Sequence, residues 1–157
     1  MSWEICESFL NEHGLVRHHL DSFNELVYSG LQQIIDDVGS IVIEDEWRVD
    51  FTNFGINKPN IVEVDGTMNF LEPSEARLRN MTYASSMFID IQLQNKDKTE
   101  YFSKVFLGKL PIMVGTIYGN YTNKECPHDP GGYFIVTGSE KVLINQEKMN
   151  TNQIYTF

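Results

Sequence analysis

The sequence is poor in cysteine and has no long hydrophobic run. Its 157 residues include two cysteines, Cys6 and Cys126, too few for a disulfide scaffold, so we expect a reducing compartment. A bilayer-spanning helix needs about 20 consecutive apolar residues, and no stretch approaches this, so we expect no membrane partner. The first residues also lack the basic region and apolar core of a secretory signal.

Motifs of common enzyme chemistries are missing as well. No glycine-rich string ends in Gly-Lys-Ser or Gly-Lys-Thr, and neither Gly-Xaa-Ser-Xaa-Gly nor His-Glu-Xaa-Xaa-His occurs. His18 and His19 are adjacent, so on a helix they point about 100° apart and cannot chelate one metal ion. Cys126 and His128 have no second ligand pair at a spacing suited to structural zinc. We therefore predict no catalytic residue and no metal site in this chain.

Basic residues are scarce, especially in the first third. The chain has 12 basic and 22 acidic residues, which gives a net charge of −10. Residues 1–50 hold 11 acids and only 2 bases. A segment with so large an excess of acidic residues repels a phosphate backbone. Any role with nucleic acid must therefore come from a local face or from a larger assembly.

The length and composition predict a folded protein. Hydrophobic residues make up 41% of the chain and aromatic residues 12%, so it is not compositionally disordered. A domain of this size buries roughly 68–70% of its unfolded surface. We predict one domain over residues 1–157.

Two helices are predicted at the start of the chain. Residues 2–12 form a short helix with a small apolar face, and Gly14 ends it. Residues 15–38 form a long amphipathic helix that Gly39 ends, because their apolar residues recur every three or four positions. These apolar positions are Val16, Leu20, Phe23, Val27, Leu31, Ile34 and Val38.

Strands are predicted in the middle of the chain. Residues 40–56 have strand character, and the Asp65-Gly66 turn that follows predicts a hairpin, so we expect a small β-meander in this region. Residues 44–46 are predicted to form a solvated acidic tip of it. Residues 87–93 and 101–107 are predicted to pair around a polar turn at 95–98. The predicted fold class is α+β, with the long N-terminal helix packed on an antiparallel or mixed sheet.

A second hairpin is predicted near the end of the chain. Pro130 favours a turn, and Gly131 and Gly132 allow φ > 0 there. Residues 133–136 form the first predicted strand and residues 142–144 the second. Gly138 breaks the run between them. We therefore assign Gly131, Gly132 and Gly138 to structural turns.

The string at residues 126–147 is more specific than a hairpin requires. It reads CPHDPGGYFI, then GSEKV and QE. It resembles the second-largest, beta-like subunit of multisubunit DNA-directed RNA polymerases of the archaeal and eukaryotic type. Three further strings resemble the same family in the same order, at residues 15–24, 73–83 and 108–114, and the likeness runs from about Trp3 to Asn152.

The likeness has two particular features. The His18-His19 form is similar to versions carried by large DNA viruses. After residue 114, the family usually continues with Ser and a Cys-Xaa-Leu before a longer polar segment. Residues 115–123 have no such cysteine, and this connection is short.

The resemblance implies a role in transcription. The chain would be the first part of the protrusion domain, with the lobe, hybrid-binding and later regions absent, and it would help form the wall of the DNA cleft. The parent enzyme would be a nucleotidyltransferase whose catalytic Mg²⁺ is held mainly by the largest subunit, so no cofactor is expected in this segment. The implied partners are the remainder of the second-largest subunit, the largest subunit, DNA through the assembled enzyme, and initiation factors. The implied location is the cytoplasm of an archaeal cell, the host cytoplasm, virus factory or virion for a virus, or the nucleus of a eukaryote.

Three basic residues are candidates for contact with nucleic acid or a neighbouring subunit: Arg77, Arg79 and Lys141. Arginine makes bidentate contacts to phosphate or carboxylate. In so acidic a chain, internal salt bridges are the alternative for both arginines.

Other roles remain open at this point. The chain is either a split subunit, a truncated fragment, or a repurposed non-catalytic protein-interaction module derived from the subunit.

Overall fold

The computed structural model describes residues 2–43, 47–95, 98–119, 125–154 and 156. It confirms an α+β fold. The helices are α1 Ser2–His13, α2 Arg17–Glu25, α3 Leu31–Val38 and α4 Pro73–Leu78, and a π-helical turn at Leu26–Gly30 joins α2 to α3. The strands are β1 Ser40–Ile43, β2 Trp47–Ile56, β3 Asn60–Val62, β4 Met68–Phe70, β5 Ala84–Asn95, β6 Lys98–Pro111, β7 Phe134–Val136 and β8 Ser139–Lys141.

The predicted long helix is present but not regular. It begins at Arg17, and the π turn inserts one extra residue between α2 and α3. Phe23 in α2 and Val27 in the π turn are buried as predicted, but Ile34 and Val38 are 54% and 55% exposed. The prediction that these two residues belong to the core face is wrong, because the extra residue of the π turn moves the inward position of α3 from Ile34 to Ile35, which is half-buried.

The short first helix is confirmed. Helix α1 ends before Gly14, whose φ is +71°. None of its residues is buried, so its predicted apolar face (Ile5, Phe9 and Leu10) lies in contact with solvent.

A four-stranded antiparallel sheet forms the body of the fold, in the order β1-β2-β5-β6. Strands β5 and β6 are the predicted pair, each extended by several residues. The acidic tip at residues 44–46 and residues 96–97 of the predicted polar turn lie outside the described residues.

The β-meander prediction is wrong at one connection. The hairpin around Asp65-Gly66 exists as β3–β4, but it forms a separate two-stranded sheet. Strand β2 pairs with β5 instead. Alternation along single strands predicts each strand but not which distant strand pairs with it.

The last hairpin also differs from its prediction. Strand β7 is confirmed at Phe134–Val136, but the second strand is β8 at Ser139–Lys141, not residues 142–144. The two-residue turn Thr137-Gly138 has φ values of +49° and +78°. So tight a turn pairs Ser139 directly with Val136, and the apolar run that follows lies beyond the strand.

The core lies at one end of the large sheet. It is formed by side chains from α2, the π turn, α4 and the chain on either side of it, the segment after β6 and strand β7. Its buried members are Phe23, Val27, Leu71, Ala76, Tyr83, Ile112, Met113, Val114 and Ile135. Within the described part of the chain, no helix combines the length and apolarity needed to cross a bilayer.

Candidate interaction surface

Arg77 lies at the centre of a network that ties α4 to the last hairpin. Its Nε donates to Glu140 Oε1 at 2.8 Å, and its Nη1 donates to Glu125 Oε2 at 3.2 Å. Its Nη2 donates to the Tyr133 hydroxyl and lies 3.6 Å from Asp129 Oδ2. The guanidinium carbon sits 5.7 Å from the centre of the Tyr133 ring. Four carboxylate and phenol groups therefore surround this one cation.

The network is partly buried and its members are also held by other groups. The Glu125 side chain is 5% exposed, and its Oε1 accepts a hydrogen bond from Ser74 N at 2.8 Å. The Tyr133 hydroxyl donates to Asp129 Oδ2 at 2.5 Å. Burial, together with this bond to Asp129, raises the pKa of Tyr133. For Arg77, burial opposes the charged form, but hydrogen bonds to Glu125 and Glu140 outweigh it and raise the pKa.

Arg79 forms a second and more exposed cluster. Its Nη1 donates to Glu63 Oε1 at 2.6 Å and to Glu75 Oε1 at 2.7 Å, and its Nη2 donates to Glu63 Oε2 at 3.0 Å. The hydrogen bond from Arg79 holds the pKa of Glu63 below its ordinary value. The structure thus places both arginines in ion pairs with this chain's own carboxylates, and their contact with nucleic acid stays a prediction.

Gly131 and Gly132 shape the backbone beside this network. Their φ values are +71° and +80°, and Asp129 Oδ1 accepts a hydrogen bond from Gly131 N at 2.9 Å. A Cβ on Gly131 would lie 2.5 Å from the carbonyl oxygen of Val114, and one on Gly132 would lie 2.9 Å from Val16 Cβ. The turn therefore packs directly against the chain after β6 and the start of α2.

Lys141 lies apart from both arginines, on an apolar groove. The groove has a volume of about 510 Å³ and runs between α2, the end of β6 and the β7–β8 hairpin. Its lining residues are His19, Ser22, Phe23, Leu26, Leu110, Pro111, Met113, Phe134, Val136, Lys141 and Leu143. Contiguous exposed apolar surface of this kind marks interaction sites on proteins. We therefore take the groove as the candidate interaction surface.

Sequence reasoning missed the partners of Arg77. Glu125, Asp129 and Glu140 are distant from it in sequence, and no periodic pattern connects them to α4. One local signal was available, because Asp129 precedes Pro-Gly-Gly and an aspartate there accepts from a backbone N–H two residues on.

No metal centre emerges from the part of the chain that is described. Across these residues, no group of three His, Cys, Asp or Glu side chains is placed to hold an ion. Cys6 and Cys126 are both exposed.

Comparison with known proteins gives a consistent result. Residues 14–152 match the family model described as RNA polymerase beta subunit. The chain is 43% identical over 164 residues to DNA-directed RNA polymerase subunit Rpo2 of Sulfolobus acidocaldarius, covering 97% of this chain and 14% of the relative. It is 36% identical over 189 residues to DNA-directed RNA polymerase II subunit 2 of Arabidopsis thaliana, covering 99% of this chain and 16% of that relative.

A third relative is shorter. DNA-directed RNA polymerase subunit Rpo2N of Methanothermobacter thermautotrophicus is 37% identical over 164 residues, which cover 98% of this chain and 32% of the relative. The chain thus spans between about a seventh and a third of the length of these relatives.

Proposed function

This chain belongs to the RNA polymerase beta subunit family, and on that premise we propose that it is the N-terminal segment of the second-largest subunit of a multisubunit DNA-directed RNA polymerase. In this role it helps form the wall of the DNA cleft during DNA-templated RNA synthesis. The observation that carries the proposal is the match over 97–99% of the chain to proteins named as this subunit. The nucleotidyltransferase activity belongs to the assembled enzyme.

The segment contributes architecture, not chemistry. The carboxylates of the Arg77 and Arg79 clusters are engaged by guanidinium groups, which leaves them poorly suited to hold a divalent cation. The catalytic Mg²⁺ would be held mainly by the largest subunit, and this segment has no cofactor of its own.

The partners follow from the same role. They are the remainder of the second-largest subunit, the largest subunit, initiation factors, and DNA through the assembled enzyme. The acidic front of residues 1–50 disfavours direct binding to a phosphate backbone, whereas the apolar groove suits contact with protein. The location is that of the polymerase: the cytoplasm of an archaeon, the host cytoplasm, virus factory or virion for a virus, or the nucleus of a eukaryote.

Affinity purification from the source cells tests this proposal. We expect tagged chain to co-purify with the largest subunit in equal amounts, and the eluate to make RNA on a DNA template. A Val27→Asp variant, which puts a charge in the core, is the matched control and is expected to recover neither. Wild-type chain that recovers no polymerase subunit and no RNA synthesis contradicts the proposal and favours a repurposed interaction module.

A further inference from the structure

Strand β1 is an unprotected edge of the large sheet. It pairs with β2 alone, so the backbone groups along its outer side meet no strand among the described residues. Its sequence, SIVI, has no charge, proline or glycine, and its register with β2 has no bulge. All of its residues are exposed, Val42 to 59%. Such an edge is a ready template for a further strand.

The opposite edge of the same sheet has a different composition. Strand β6 carries three lysines, Lys98, Lys104 and Lys109. A lysine on an edge strand opposes pairing with a foreign strand, because its charge loses water when the strand is covered. Strand β1 has no such residue, so it is the edge of this sheet that is open to a partner.

The side chains beside β1 set what a partner strand meets. Ile41 and Ile43 lie opposite Val49 and Trp47 of β2, which makes one face of this edge apolar. On the other face, the two β2 residues form an ion pair. A strand that continues the sheet therefore needs apolar side chains at alternate positions and polar ones between them.

The surroundings of β1 are acidic. Asp36 and Asp37 are exposed in the last turn of α3, just before β1, where the helix dipole disfavours negative charge. Residues 1–50 contain only two bases, Arg17 and Arg48, and both are already in ion pairs with aspartates. Lysine or arginine at the end of a partner strand is attracted to this region.

We propose that β1 is the docking edge for an extended, basic segment of another protein, which continues the large sheet and places Lys or Arg beside the acids of α3. A second copy of this chain fits less well, because it brings the same excess of acidic residues. Main-chain hydrogen bonds supply affinity in this mode of recognition, and the flanking side chains supply selectivity. Docking at β1 is a property of the chain itself and does not depend on its role in a polymerase.

Designed peptides test this docking on the 157-residue chain. The probe is a fluorescein-labelled peptide of sequence KKVSITVKK, and its counterpart EEVSITVEE keeps the strand pattern with the opposite charge. We expect saturable binding of the basic peptide in fluorescence anisotropy, with an affinity that falls as salt is added, and no binding of the acidic peptide.

A third peptide separates strand pairing from charge attraction. It is the basic peptide with methyl groups on the backbone nitrogens of two adjacent central residues, so neither of its edges can form a continuous ladder. We expect it to bind about tenfold more weakly than the unmodified peptide, because hydrogen bonds to β1 are lost. This comparison leaves the chain unaltered and does not depend on the folding of a variant.

Matched variants locate the site. Val42→Lys places a charge on the edge of β1, and Val62→Lys makes the same change at a similarly exposed valine of the separate β3–β4 sheet. We expect about a tenfold loss of affinity for the first and no loss for the second. Asp37→Lys should weaken binding about threefold, whereas Glu100→Lys on β6 should leave it unchanged.

Hydrogen exchange shows where the peptide pairs. With the basic peptide at saturation, we expect the outward-facing amides of β1 to exchange about tenfold more slowly and those of β6 to be unaffected. Slower exchange at β6 instead of β1, or equal binding of the methylated peptide, overturns docking at this edge.

The remaining outcomes also decide the proposal. Equal affinities for the basic and acidic peptides overturn the selection of a basic partner. A dimer in sedimentation velocity that Val42→Lys abolishes shows that the occupant is a second copy and overturns the proposed partner. Absence of binding to the wild-type chain overturns docking at β1 and leaves the polymerase role untouched.

Discussion

At the scale of single residues, Gly131 has the strictest backbone requirement. It combines a φ of +71° with a Cβ position only 2.5 Å from the Val114 carbonyl oxygen. We expect Gly131→Ala to lower the free energy of unfolding by about 2–4 kcal/mol, measured by urea denaturation. Gly55 in β2 has open space around its Cβ position and no positive φ, so Gly55→Ala is the control and should change stability by less than about 1 kcal/mol. Equal losses in the two variants contradict the prediction.

Arg77 supports a second prediction at this scale. Its removal leaves the Glu125 carboxylate, 5% exposed, without its cation. We expect Arg77→Met to cost about 2–4 kcal/mol of unfolding free energy, toward the low end because Arg77 itself is 25% exposed.

Arg17 provides the matched control for Arg77. It pairs with Asp21 in solvent, with both side chains more than half exposed, so Arg17→Met should cost less than about 0.5 kcal/mol. Thermal unfolding followed by circular dichroism measures both variants. Similar melting temperatures for the two would show that the Arg77 network does not stabilise the fold.

At the scale of elements, Gln32 joins the long helix to the large sheet. Its Nε2 donates to the Thr52 carbonyl at 3.0 Å and its Oε1 accepts from Phe54 N at 2.9 Å, at the bulge of β2. We expect Gln32→Ala to destabilise the chain by about 1–2 kcal/mol, because the Phe54 N–H loses its acceptor. Gln33→Ala, at the exposed neighbouring position, should be close to neutral in the same urea titration. Slower hydrogen exchange at Phe54 in the Gln32 variant than in wild type would contradict this role.

Asp90 links strands β2, β5 and β6, and its hydrogen bonds make the stability of the fold depend on pH. Its Oδ1 accepts from Lys104 N at 2.8 Å and its Oδ2 from Asn53 Nδ2 at 3.2 Å. The backbone bond from Lys104, followed by the bond from Asn53, lowers the pKa of Asp90 below its ordinary value of 3.8. The stability it provides is therefore complete above that value and is lost as the pH falls through the lowered pKa.

The Asp90→Asn variant tests this contribution. We expect it to be less stable than wild type at neutral pH, with the difference shrinking on acidification below about pH 4. Urea midpoints measured from neutral pH down to about pH 3 check this. A difference that stays constant over this range contradicts a role for the carboxylate charge.

At the scale of the whole molecule, the net charge of −10 disfavours direct contact of this chain with DNA. We expect the chain alone not to bind labelled duplex DNA at low salt in a fluorescence anisotropy titration, whereas the assembled polymerase binds it. Saturable, strongly salt-dependent binding by the chain alone would contradict this expectation, because it would require a phosphate-binding face on this segment.

Sequence patterns predicted the element types well and their assembly less well. Apolar periodicity predicted the long helix, alternation predicted β2 and β5, and the polar turn at residues 95–98 predicted β6 as the partner strand of β5. The same patterns could not show the π turn, because the sequence carries no separate signal for one extra residue in a single helical turn. That extra residue moves Ile34 out of the core face and Ile35 into it. The pairing of β2 with β5 depends on contacts about 40 residues apart, which local patterns do not encode.

The candidate surface was only partly predictable. The sequence indicated Arg77, Arg79 and Lys141 as candidate contact residues because of their charge. Which groups surround each of them depends on tertiary neighbours that the sequence does not show. The short turn at Thr137-Gly138 decides that Lys141 sits opposite Phe134 on the groove, and the sequence pattern had placed the strand three residues later.

Strand β6 is 14 residues long and lies at the edge of the large sheet. Near its middle, Lys104 adopts a φ of +54° and turns its N–H toward the Asp90 carboxylate. A bulge with a lysine at this place interrupts the straight row of backbone groups on which a foreign strand would grow. The same contact that joins β5 to β6 thereby disfavours edge-to-edge aggregation through the exposed side of β6.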